Sequence, residues 1–400
     1  MVQPKLRFPE FNDEWKLKKL KDYLIFQNGL NADKERFGSG TKFISVMDIL
    51  NNPFITYDII RGSIEVDSKT LNNYSVEYGD ILFQRSSENR EDAGKSNVYL
   101  DKDNTATFGG FVIRGKKNGE YDPTFLNALL KSDSVRKEIT SKAQGAQHIN
   151  VGQETLENVK FYVPSLPEQE KIGLLFAEID SKITEIEKTI ESLEEHKKGI
   201  MQKIFNQEIR FKDDNGEEFP EWEEKRIGDC FGERNEKANG DEELLSVTIK
   251  NGIIKQDELN KKDTSNVDKS KYKKVYIGDI AYNSMRMWQG AEGVSKYDGI
   301  VSPAYTILIP QNINPVFFEY LFKMKFMLNL FQRYSQGITS DTWNLKYPQI
   351  SVLKVKVPHI KEQDKIVEFF TTLDRKIEAE NKILEDWKQF KKALIQQMFV

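Results

Sequence analysis

The stretch that decides the fold is Val163-Pro-Ser-Leu-Pro-Glu-Gln-Glu-Lys-Ile172, which returns as Val357-Pro-His-Ile-Lys-Glu-Gln-Asp-Lys-Ile366. Upstream of each copy, the tripeptide Gly79-Asp80-Ile81 is matched by Gly278-Asp279-Ile280. A long internal repeat indicates that one structural unit occurs twice in the chain. The sequence therefore predicts two copies of a domain followed by a helix, at about residues 1–206 and 207–400.

Each copy continues into a segment whose apolar residues alternate in steps of four and three, which is typical of a coiled-coil seam. A helix over residues 168–205 would be about 57 Å long. The two helices are expected to pair, antiparallel if the ends of the second domain lie close together; an amphipathic helix lying on a domain core is the alternative. The seam positions are Ile172, Phe176, Ile179, Ile183, Ile186, Ile190, Leu193, Lys197, Ile200 and Ile204, and then Ile366, Phe370, Leu373, Ile377, Glu380, Leu384, Trp387, Lys391, Leu394 and Met398.

The part of each copy that precedes the long helix is predicted to be a mixed α/β domain. Asp122-Pro123 and Asn314-Pro315 each mark the start of a helix, because they combine a favoured N-cap with proline in the first turn. A polar loop follows each helix. The fold class is thus α+β, with two mixed α/β domains joined by an antiparallel two-helix coiled coil in a pseudo-two-fold repeat. Strands are expected at residues 42–47, 80–83, 97–100 and 107–113, and at 244–249, 279–282 and 305–309.

Composition narrows the class of protein. Lys and Arg number 23 against 23 Asp and Glu over residues 1–164, and 22 against 23 over residues 207–357. Neither domain is basic, so affinity for nucleic acid has to come from local patches or from a partner. The single cysteine excludes an internal disulfide, and no apolar stretch reaches the ~18 residues of a membrane helix. Because the start of the sequence lacks the apolar region of a signal peptide, a cytoplasmic location is expected.

Several catalytic sites can be tested directly against the sequence. Gly94-Lys95-Ser96 resembles the end of a phosphate-binding loop, but Asn89 stands where that motif needs its first glycine. A dinucleotide fingerprint starting at Gly38 would need a third glycine where Phe43 stands. Three scattered histidines do not suggest a metal site. The chain is therefore expected to catalyse no reaction by itself.

These features resemble the specificity subunit of type I restriction–modification systems. The resemblance rests on the two helix starts, Pro164-Ser-Leu-Pro167-Glu-Gln169 and Pro358-His-Ile-Lys361-Glu-Gln363, and covers essentially all 400 residues. Lys361 departs from the proline of the first copy. The resemblance implies that residues 1–164 and 207–358 are target-recognition domains, and that residues 165–206 and 359–400 are the helices between them.

The resemblance also implies what the chain binds. Each domain would read one half of a bipartite, asymmetric site in double-stranded DNA, while the helical rod sets the spacer and docks two adenine-N6 methyltransferase subunits. Two ATP-dependent restriction and translocation subunits could then join. No cofactor is expected in this chain, since S-adenosylmethionine would belong to the methyltransferase, and ATP and Mg²⁺ to the nuclease. No membrane partner is expected.

Residues that read DNA are predicted from the chemistry of base edges, because Arg suits guanine and Asn or Gln suits adenine. Lys273 and Lys274, in a cluster with Lys261, Lys262, Lys269 and Lys271, are expected to contact phosphates. Gly145 and Gly337 are expected to serve backbone geometry. A solvated loop is the alternative for every candidate. The candidates are Arg85, Ser86, Asn89, Gln144, Gln147, His148 and Asn150 in the first domain, and Asn283, Arg286, Gln336, Ser340, Trp343 and Asn344 in the second.

Three other functions remain open at this point. A transcription regulator would need strong DNA binding without a partner, which the even charge of both domains disfavours. A protein scaffold predicts no change in methylation when Arg85 or Arg286 is replaced by alanine. An enzyme with an unfamiliar site predicts activity from the purified chain alone.

Overall fold

A computed structural model describes residues 3–239, 242–249, 251–259, 268–339 and 342–400. The chain folds into two compact units, one made of Met1–Ile190 with Glu380–Val400 and the other of Glu191–Ala379. Each unit contains a mixed α/β domain and a part of each of two long helices. Within the described ranges, none of the helices has an apolar stretch long enough to cross a lipid bilayer.

The first unit combines short strands with helices of five to ten residues and the first part of a long helix. Its strands are β1 (Lys16–Lys19), β2 (Leu24–Asn28), β3 (Phe37–Ile44), β4 (Ser63–Ile64), β5 (Ile81–Gln84), β6 (Ser86–Ser87), β7 (Ser96–Val98), β8 (Thr107–Phe108), β9 (Val112–Lys117), β10 (Ile149–Asn150) and β11 (Lys160–Val163). Its helices are α1 (Val46–Leu50), α2 (Ser68–Asn73), α3 (Pro123–Leu129), α4 (Asp133–Lys142), α5 (Gln153–Glu157) and the start of α6 (Leu166–Phe205).

A four-stranded antiparallel sheet in the order β2-β9-β5-β7 forms the centre of the first unit. Successive side chains of a strand point to opposite faces of a sheet, so β5 serves two cores. Ile81 and Phe83 pack in the core that includes α3 and α4, whereas Leu82 packs with Ile44 and Phe108 on the other face. Both faces of the strand are therefore buried. The turn that begins at Arg85 follows directly after the end of this buried strand.

The second unit contains the end of α6, the start of a second long helix and a domain built in the same way. Its strands are β12 (Glu223–Arg226), β13 (Phe231–Glu233), β14 (Leu245–Thr248), β15 (Gly252–Lys255), β16 (Lys273–Val275), β17 (Ile280–Asn283), β18 (Glu292–Val294), β19 (Gly299–Val301), β20 (Tyr305–Pro310) and β21 (Lys354–Val357). Its helices are α7 (Ile227–Cys230), α8 (Pro315–Phe322), α9 (Lys325–Tyr334), α10 (Tyr347–Ser351) and the start of α11 (Ile360–Met398).

The two units share their sheet topology. The central sheet of the second unit has the order β13-β20-β17-β18, which matches β2-β9-β5-β7 element by element. In β17, Ile280 and Tyr282 face one core and Ala281 faces another, as in β5. The strand that opens each domain also pairs with the strand that leads into a long helix, β1 with β11 and β12 with β21. The predicted α+β class and internal repeat are confirmed.

Several local predictions can be compared with the elements. Asp122 and Asn314 accept hydrogen bonds from the backbone of α3 and α8, so both predicted N-caps are confirmed. The strand predicted over residues 42–47 is wrong at its end, because Ser45 and Asp48 form a capping box that starts α1. The strand predicted over 107–113 is two strands, β8 and β9, separated by a bend at residues 109–111.

The repeated Glu-Gln pair anchors the start of each long helix to its domain. In the first unit, the buried Glu168 carboxylate accepts two hydrogen bonds of 2.7 Å from Arg7. Gln169 donates to the carbonyl of Pro164 at 3.1 Å and accepts the N–H of Asp122 at 3.3 Å. The amide thus connects the strand end, the helix cap and α6.

The second unit repeats this anchor with its own residues. Arg210 donates to the two oxygens of Glu362 at 3.3 and 2.9 Å. Gln363 donates to the carbonyl of Pro358 and accepts the N–H of Asn314, both at 2.9 Å. The repeated Glu-Gln motif therefore has a structural role, because the polar side-chain groups of its Glu and Gln form hydrogen bonds within their own unit.

The charged interruption of each helical seam is explained by an ion pair within its unit. Lys391 of α11 pairs with Asp180 of α6 in the first unit, where Phe399 also stacks on Phe176 with ring centroids 5.7 Å apart. The later residue of the α11 segment thus contacts the earlier residue of the α6 segment, so the two segments run antiparallel. In the second unit, Lys197 pairs with the equivalent Asp374. The predicted pairing of the two long helices is confirmed in both units.

Candidate nucleic-acid interface

In the first unit, backbone hydrogen bonds join the two loops that the sequence singles out. Strand β6, in the turn after β5, pairs with β10 at the end of the polar loop. The N–H of Val151 donates to the carbonyl of Arg85 at 2.9 Å, and Gln144 and Asn150 exchange N–H···O bonds of 3.0 and 2.7 Å. We name the turn 85–90 and the loop 144–150 together the first loop surface.

Some of the predicted contacts are used to hold the first loop surface in shape. Ser86 Oγ donates to Asn150 Oδ1, and Asn150 Nδ2 donates to the carbonyl of His148 at 3.1 Å. Asn89 donates to Asp92 at 2.8 Å and accepts the N–H of the same residue at 3.0 Å. These three side chains stabilise the loops, and their contact with DNA stays a prediction.

Other candidates extend into solvent. Gln144, Gln147 and His148 are exposed, and within the described part of the chain their side chains make no hydrogen bond. Arg85 is exposed as well, and one of its N–H groups donates to the carbonyl of Gly110 at 3.3 Å. Since a guanidinium carries five N–H groups, most of its donors face solvent.

A third segment, the bend 109–111, lies beside Arg85, and the sequence analysis misses it. The carbonyl of Phe111 accepts the N–H of Arg85 at 2.9 Å, and the side chain of Phe111 is exposed. Asn31 reaches the same bend, since a Cβ added to Gly110 would lie 1.9 Å from Asn31 Oδ1. The apolar run around the bend resembles a continuous strand, and only the Gly109-Gly110 pair signals the turn.

In the second unit, the equivalent turn and loop are joined in the same way. Gln336 and Asn344 exchange N–H···O bonds of 2.9 and 2.8 Å, and the N–H of Leu345 donates to the carbonyl of Ser284 at 2.8 Å. We name the turn 284–289 and the loop 336–344 together the second loop surface. Ser340, a predicted contact, lies outside the described residues.

Two indole rings distinguish the second loop surface. Trp288 and Trp343 meet edge to face with ring centroids 5.2 Å apart, and Trp288 Nε1 donates to the carbonyl of Met285 at 3.1 Å. Arg286 is exposed, and among the described residues its guanidinium makes no hydrogen bond or salt bridge. Asn283 Oδ1 accepts the N–H of Met285 at 3.0 Å. The Trp pair thus gives this surface an apolar, rigid centre beside an available arginine.

The remaining predicted contacts of the second loop surface are the amides Gln336 and Asn344, and a glycine shapes the loop in each unit. Gln336 is exposed, whereas Asn344 Oδ1 is buried and has no hydrogen-bond partner among the described residues. Gly145 and Gly337 have φ of +117° and +148°, and a Cβ on them would lie 2.0 and 2.5 Å from a loop carbonyl oxygen. Only glycine fits such positions without strain, so their expected geometric role is confirmed.

The predicted phosphate contacts have partners inside the second unit. Lys273 Nζ donates to the carbonyl of Tyr305 at 3.0 Å, and burial lowers the pKa of its ammonium group. Lys274 pairs with Glu236 at 2.9 Å. Lys261 and Lys262 lie outside the described residues. Phosphate contact by Lys273 and Lys274 therefore stays a prediction, and both side chains would have to give up these partners.

The repeated Gly-Asp turn directly precedes the central strand that leads to each loop surface. The carboxylate of Asp80 accepts the N–H groups of Lys117 at 2.9 Å and Glu77 at 3.1 Å, and burial raises its pKa to about 6. Asp279 accepts the equivalent N–H, from Tyr276 at 2.9 Å, but its other two hydrogen bonds come from Arg234, at 2.7 and 3.1 Å. The same residue type thus starts the central strand in each unit with different partners.

Comparison with known proteins identifies the family. The type I restriction modification DNA specificity domain matches residues 12–195 and again residues 220–388. The chain belongs to this family. The two matches account for the internal repeat, because each covers one domain and most of the long helix that follows it.

Named relatives and a solved structure agree with this assignment. The specificity subunit of the type I restriction enzyme MjaVIII of Methanocaldococcus jannaschii is 24% identical over 419 residues, covering 98% of this chain and 92% of that protein. The MjaX specificity subunit of the same organism is 30% identical over 237 residues, 56% of this chain and about half (54%) of that protein. The crystal structure of a type I S subunit from M. genitalium matches with a TM-score of 0.61 at 16% identity, over 100% of this chain and 99% of the other, which establishes the fold.

Proposed function

We propose that this type I DNA-specificity protein reads a bipartite, asymmetric sequence in double-stranded DNA, one half through each loop surface. It is a recognition subunit and not an enzyme, and it works in assembly with the other subunits of a restriction–modification complex. The observation that carries the proposal is the paired loops of each unit, which hold exposed Arg, Gln and His side chains and a half-buried Trp pair on a hydrogen-bonded frame. Such side chains read the edges of base pairs.

The two half-sites are different sequences. The first loop surface presents Arg85, Gln147 and His148, whereas the second presents Arg286 and Trp343. Because Arg favours guanine while the amide of Gln favours adenine, surfaces with different side chains select different bases. Ser86, Asn89, Asn150, Asn283 and Asn344 act mainly in shaping the loops, as their hydrogen bonds and burial support.

The long helices set the spacer and dock the partners. Readers related by a two-fold axis contact one face of a duplex when the half-sites are about one turn, roughly 34 Å, apart. Two adenine-N6 methyltransferase subunits bind the helices and adjoining domain faces, which is supported by the exposed apolar Leu174 of α6 and Ile383 and Phe390 of α11.

The chemistry belongs to the partners. S-adenosylmethionine is bound by the methyltransferase subunits, while ATP and Mg²⁺ are used by two restriction and translocation subunits that join the complex. Phosphate contacts by the methyltransferases supply most of the electrostatic attraction, because neither domain of this chain carries an excess of Lys and Arg. The complex acts in the cytoplasm.

The test is to co-express the chain with the methyltransferase subunit of its own system and map N6-methyladenine by single-molecule sequencing. We expect a split motif with one modified adenine on each strand, absent when this chain is omitted. Exchanging residues 1–160 for those of another family member should change one half-site and leave the other. If both halves changed, the two-reader proposal would be wrong. If methylation did not depend on this chain while the complex still formed, the chain would be a scaffold.

A further inference from the structure

We propose that Phe111 is a specificity-determining residue of the first domain, and that its ring packs against the C5 methyl group of a thymine in the half-site read there. The inference rests on the proposed function, because it assigns one base contact to a chain that reads DNA. It concerns the bend 109–111, which adds a third segment to the first loop surface.

The first observation is the exposure of the ring. In the described part of the chain, Phe111 is 72% exposed, more than any other aromatic side chain. Single exposed apolar residues are common on protein surfaces, so exposure alone would carry no proposal. The position of Phe111 favours a role in DNA recognition, because Phe111 lies next to the arginine that is predicted to read a base.

The second observation is the rigidity of the bend. The carbonyl of Phe111 accepts the N–H of Arg85 at 2.9 Å, and the N–H of Gly109 donates to the carbonyl of Ile44 at 3.1 Å. A Cβ on Gly109 would lie 2.7 Å from the ring of Phe43, so the bend is packed closely against the domain. A side chain on a fixed backbone loses little conformational entropy when it binds.

The third observation is the chemistry of the neighbouring side chain. Arg85 donates to the carbonyl of Gly110 on one side, and its own carbonyl accepts the N–H of Val151, next to loop 144–150, on the other. It is therefore placed between the loop and Phe111. In the major groove, arginine recognises guanine, and the apolar group on a base edge is the thymine methyl, which phenylalanine contacts favourably.

The fourth observation is that the fold does not require an aromatic residue here. In the second unit, the N–H of Ser284 donates to the carbonyl of Ala304 at 3.3 Å, in the place of the bond between Arg85 and Phe111. The same turn is thus built around alanine. Phe111→Ala gives the first unit a side chain that the second unit already uses at this position, so the variant is expected to fold.

The experiment uses the full chain in complex with its methyltransferase subunit and duplexes that contain the mapped site. Each thymine of the first half-site is replaced in turn by deoxyuridine, which removes only the methyl group. We expect one replacement to weaken binding of the unmodified protein about fourfold, the effect of one buried methyl group. Phe111→Ala should weaken binding to the thymine duplex and lose the discrimination between thymine and deoxyuridine. Leu17→Ala, another exposed apolar residue of the same unit, serves as the control and should retain it.

The outcomes separate this inference from the proposed function. If the unmodified complex bound no DNA sequence specifically, the proposed function would fail. If it bound a split site but Phe111→Ala kept the full response to deoxyuridine, only the assignment of Phe111 would be overturned. A first half-site without thymine on either strand would overturn it as well. Loss of the response in Phe111→Ala and its retention in Leu17→Ala support the assignment.

Discussion

The two loop surfaces are built on one frame but present different side chains. In the first unit, the residue that accepts the N–H of the residue following the polar loop is Arg85, which is exposed. In the second unit it is Ser284, which is buried with its Oγ 2.8 Å from Thr306 Oγ1. The arginine of the second surface, Arg286, comes two residues later. Equivalent backbone positions thus carry an exposed arginine, predicted to read DNA, in one domain and a buried serine in the other.

The frame and the side chains that are predicted to read DNA are therefore separable. The Glu-Gln anchor, the Gly-Asp turn and the pair of bonds that closes each polar loop are kept in both units. The side chains that differ between the units are exposed and contribute little to packing. An example is Phe111 in the first unit, whose equivalent in the second unit is Ala304. Substitutions on the surfaces should therefore alter base preference with little loss of stability, because surface changes away from such anchors have small effects on folding.

The strongest test of this separation is a loop graft. Both polar loops begin with glutamine and end with asparagine that exchange backbone hydrogen bonds, so loop 144–150 can be replaced by 336–344 at the same junctions. We expect methylation at the original first half-site to fall at least about 100-fold, because several base contacts are lost together. The complex with the methyltransferase should still co-purify. The reverse graft is the matched control and should alter only the second half-site, and an unchanged first half-site would refute the role of the loop.

A smaller effect is expected from single residues at the equivalent turn position. Arg85→Ala should weaken binding of the specific duplex by about 1–3 kcal/mol, the range for a bidentate base contact. Ser284→Ala should leave DNA affinity within about twofold, because its hydroxyl faces Thr306 inside the domain. Fluorescence anisotropy with matched and single-substituted duplexes measures both effects.

Arg85→Lys distinguishes base reading from simple charge attraction. Lysine keeps the positive charge but lacks the planar fork of arginine. If Arg85 reads a base, Arg85→Lys should lose sequence preference while keeping the salt dependence of binding. If Arg85→Lys instead kept the full preference of the unmodified protein, Arg85 would be a phosphate contact and the comparison with Ser284 would lose its meaning.

Much of the frame can be predicted from the sequence because its signals are local. The seam spacing identifies both long helices, and Asp122 and Asn314 correctly mark the starts of α3 and α8 as capping residues. Helix α1 is missed because residues 42–47 resemble a strand, whereas in the structure Ser45 and Asp48 form the capping box that starts the helix. Local sequence patterns therefore predict an element correctly where a single pattern, such as an N-cap followed by proline, dominates the segment.

The candidate site is harder to predict because it depends on contacts between distant residues. The sequence identifies the two loops, but not that Asn150 would be used by Ser86, or Lys274 by Glu236. It also misses Phe111, since an apolar residue inside an apolar run is expected to be buried. Residue type therefore suggests what a side chain could bind, while the fold decides whether that side chain is available.

The smallest expected effect compares Asp80 with Asp279. Burial raises the pKa of Asp80 to about 6 from an ordinary 3.8, so the folded state holds this proton more tightly than the unfolded state. The first unit should therefore lose stability as pH rises from about 4 to about 6, and remain level above that. Asp80→Asn carries no charge, so it should gain on the order of 1–2 kcal/mol relative to the unmodified chain between pH 4.5 and pH 7.

Native-state hydrogen exchange of β5 and β9, corrected for the intrinsic rate at each pH, measures this change in the first unit alone. Asp279→Asn is the matched variant, and exchange in β17 should become faster at pH 7, because Arg234 loses the carboxylate that accepts its two hydrogen bonds. The two substitutions are expected to change stability in opposite directions because the partners differ. The Asp80 carboxylate is buried without a hydrogen bond from arginine, whereas the Asp279 carboxylate accepts two from Arg234. Parallel behaviour of Asp80→Asn and the unmodified chain at both pH values would show that the folded state does not hold the proton of Asp80 more tightly, and the prediction would be wrong.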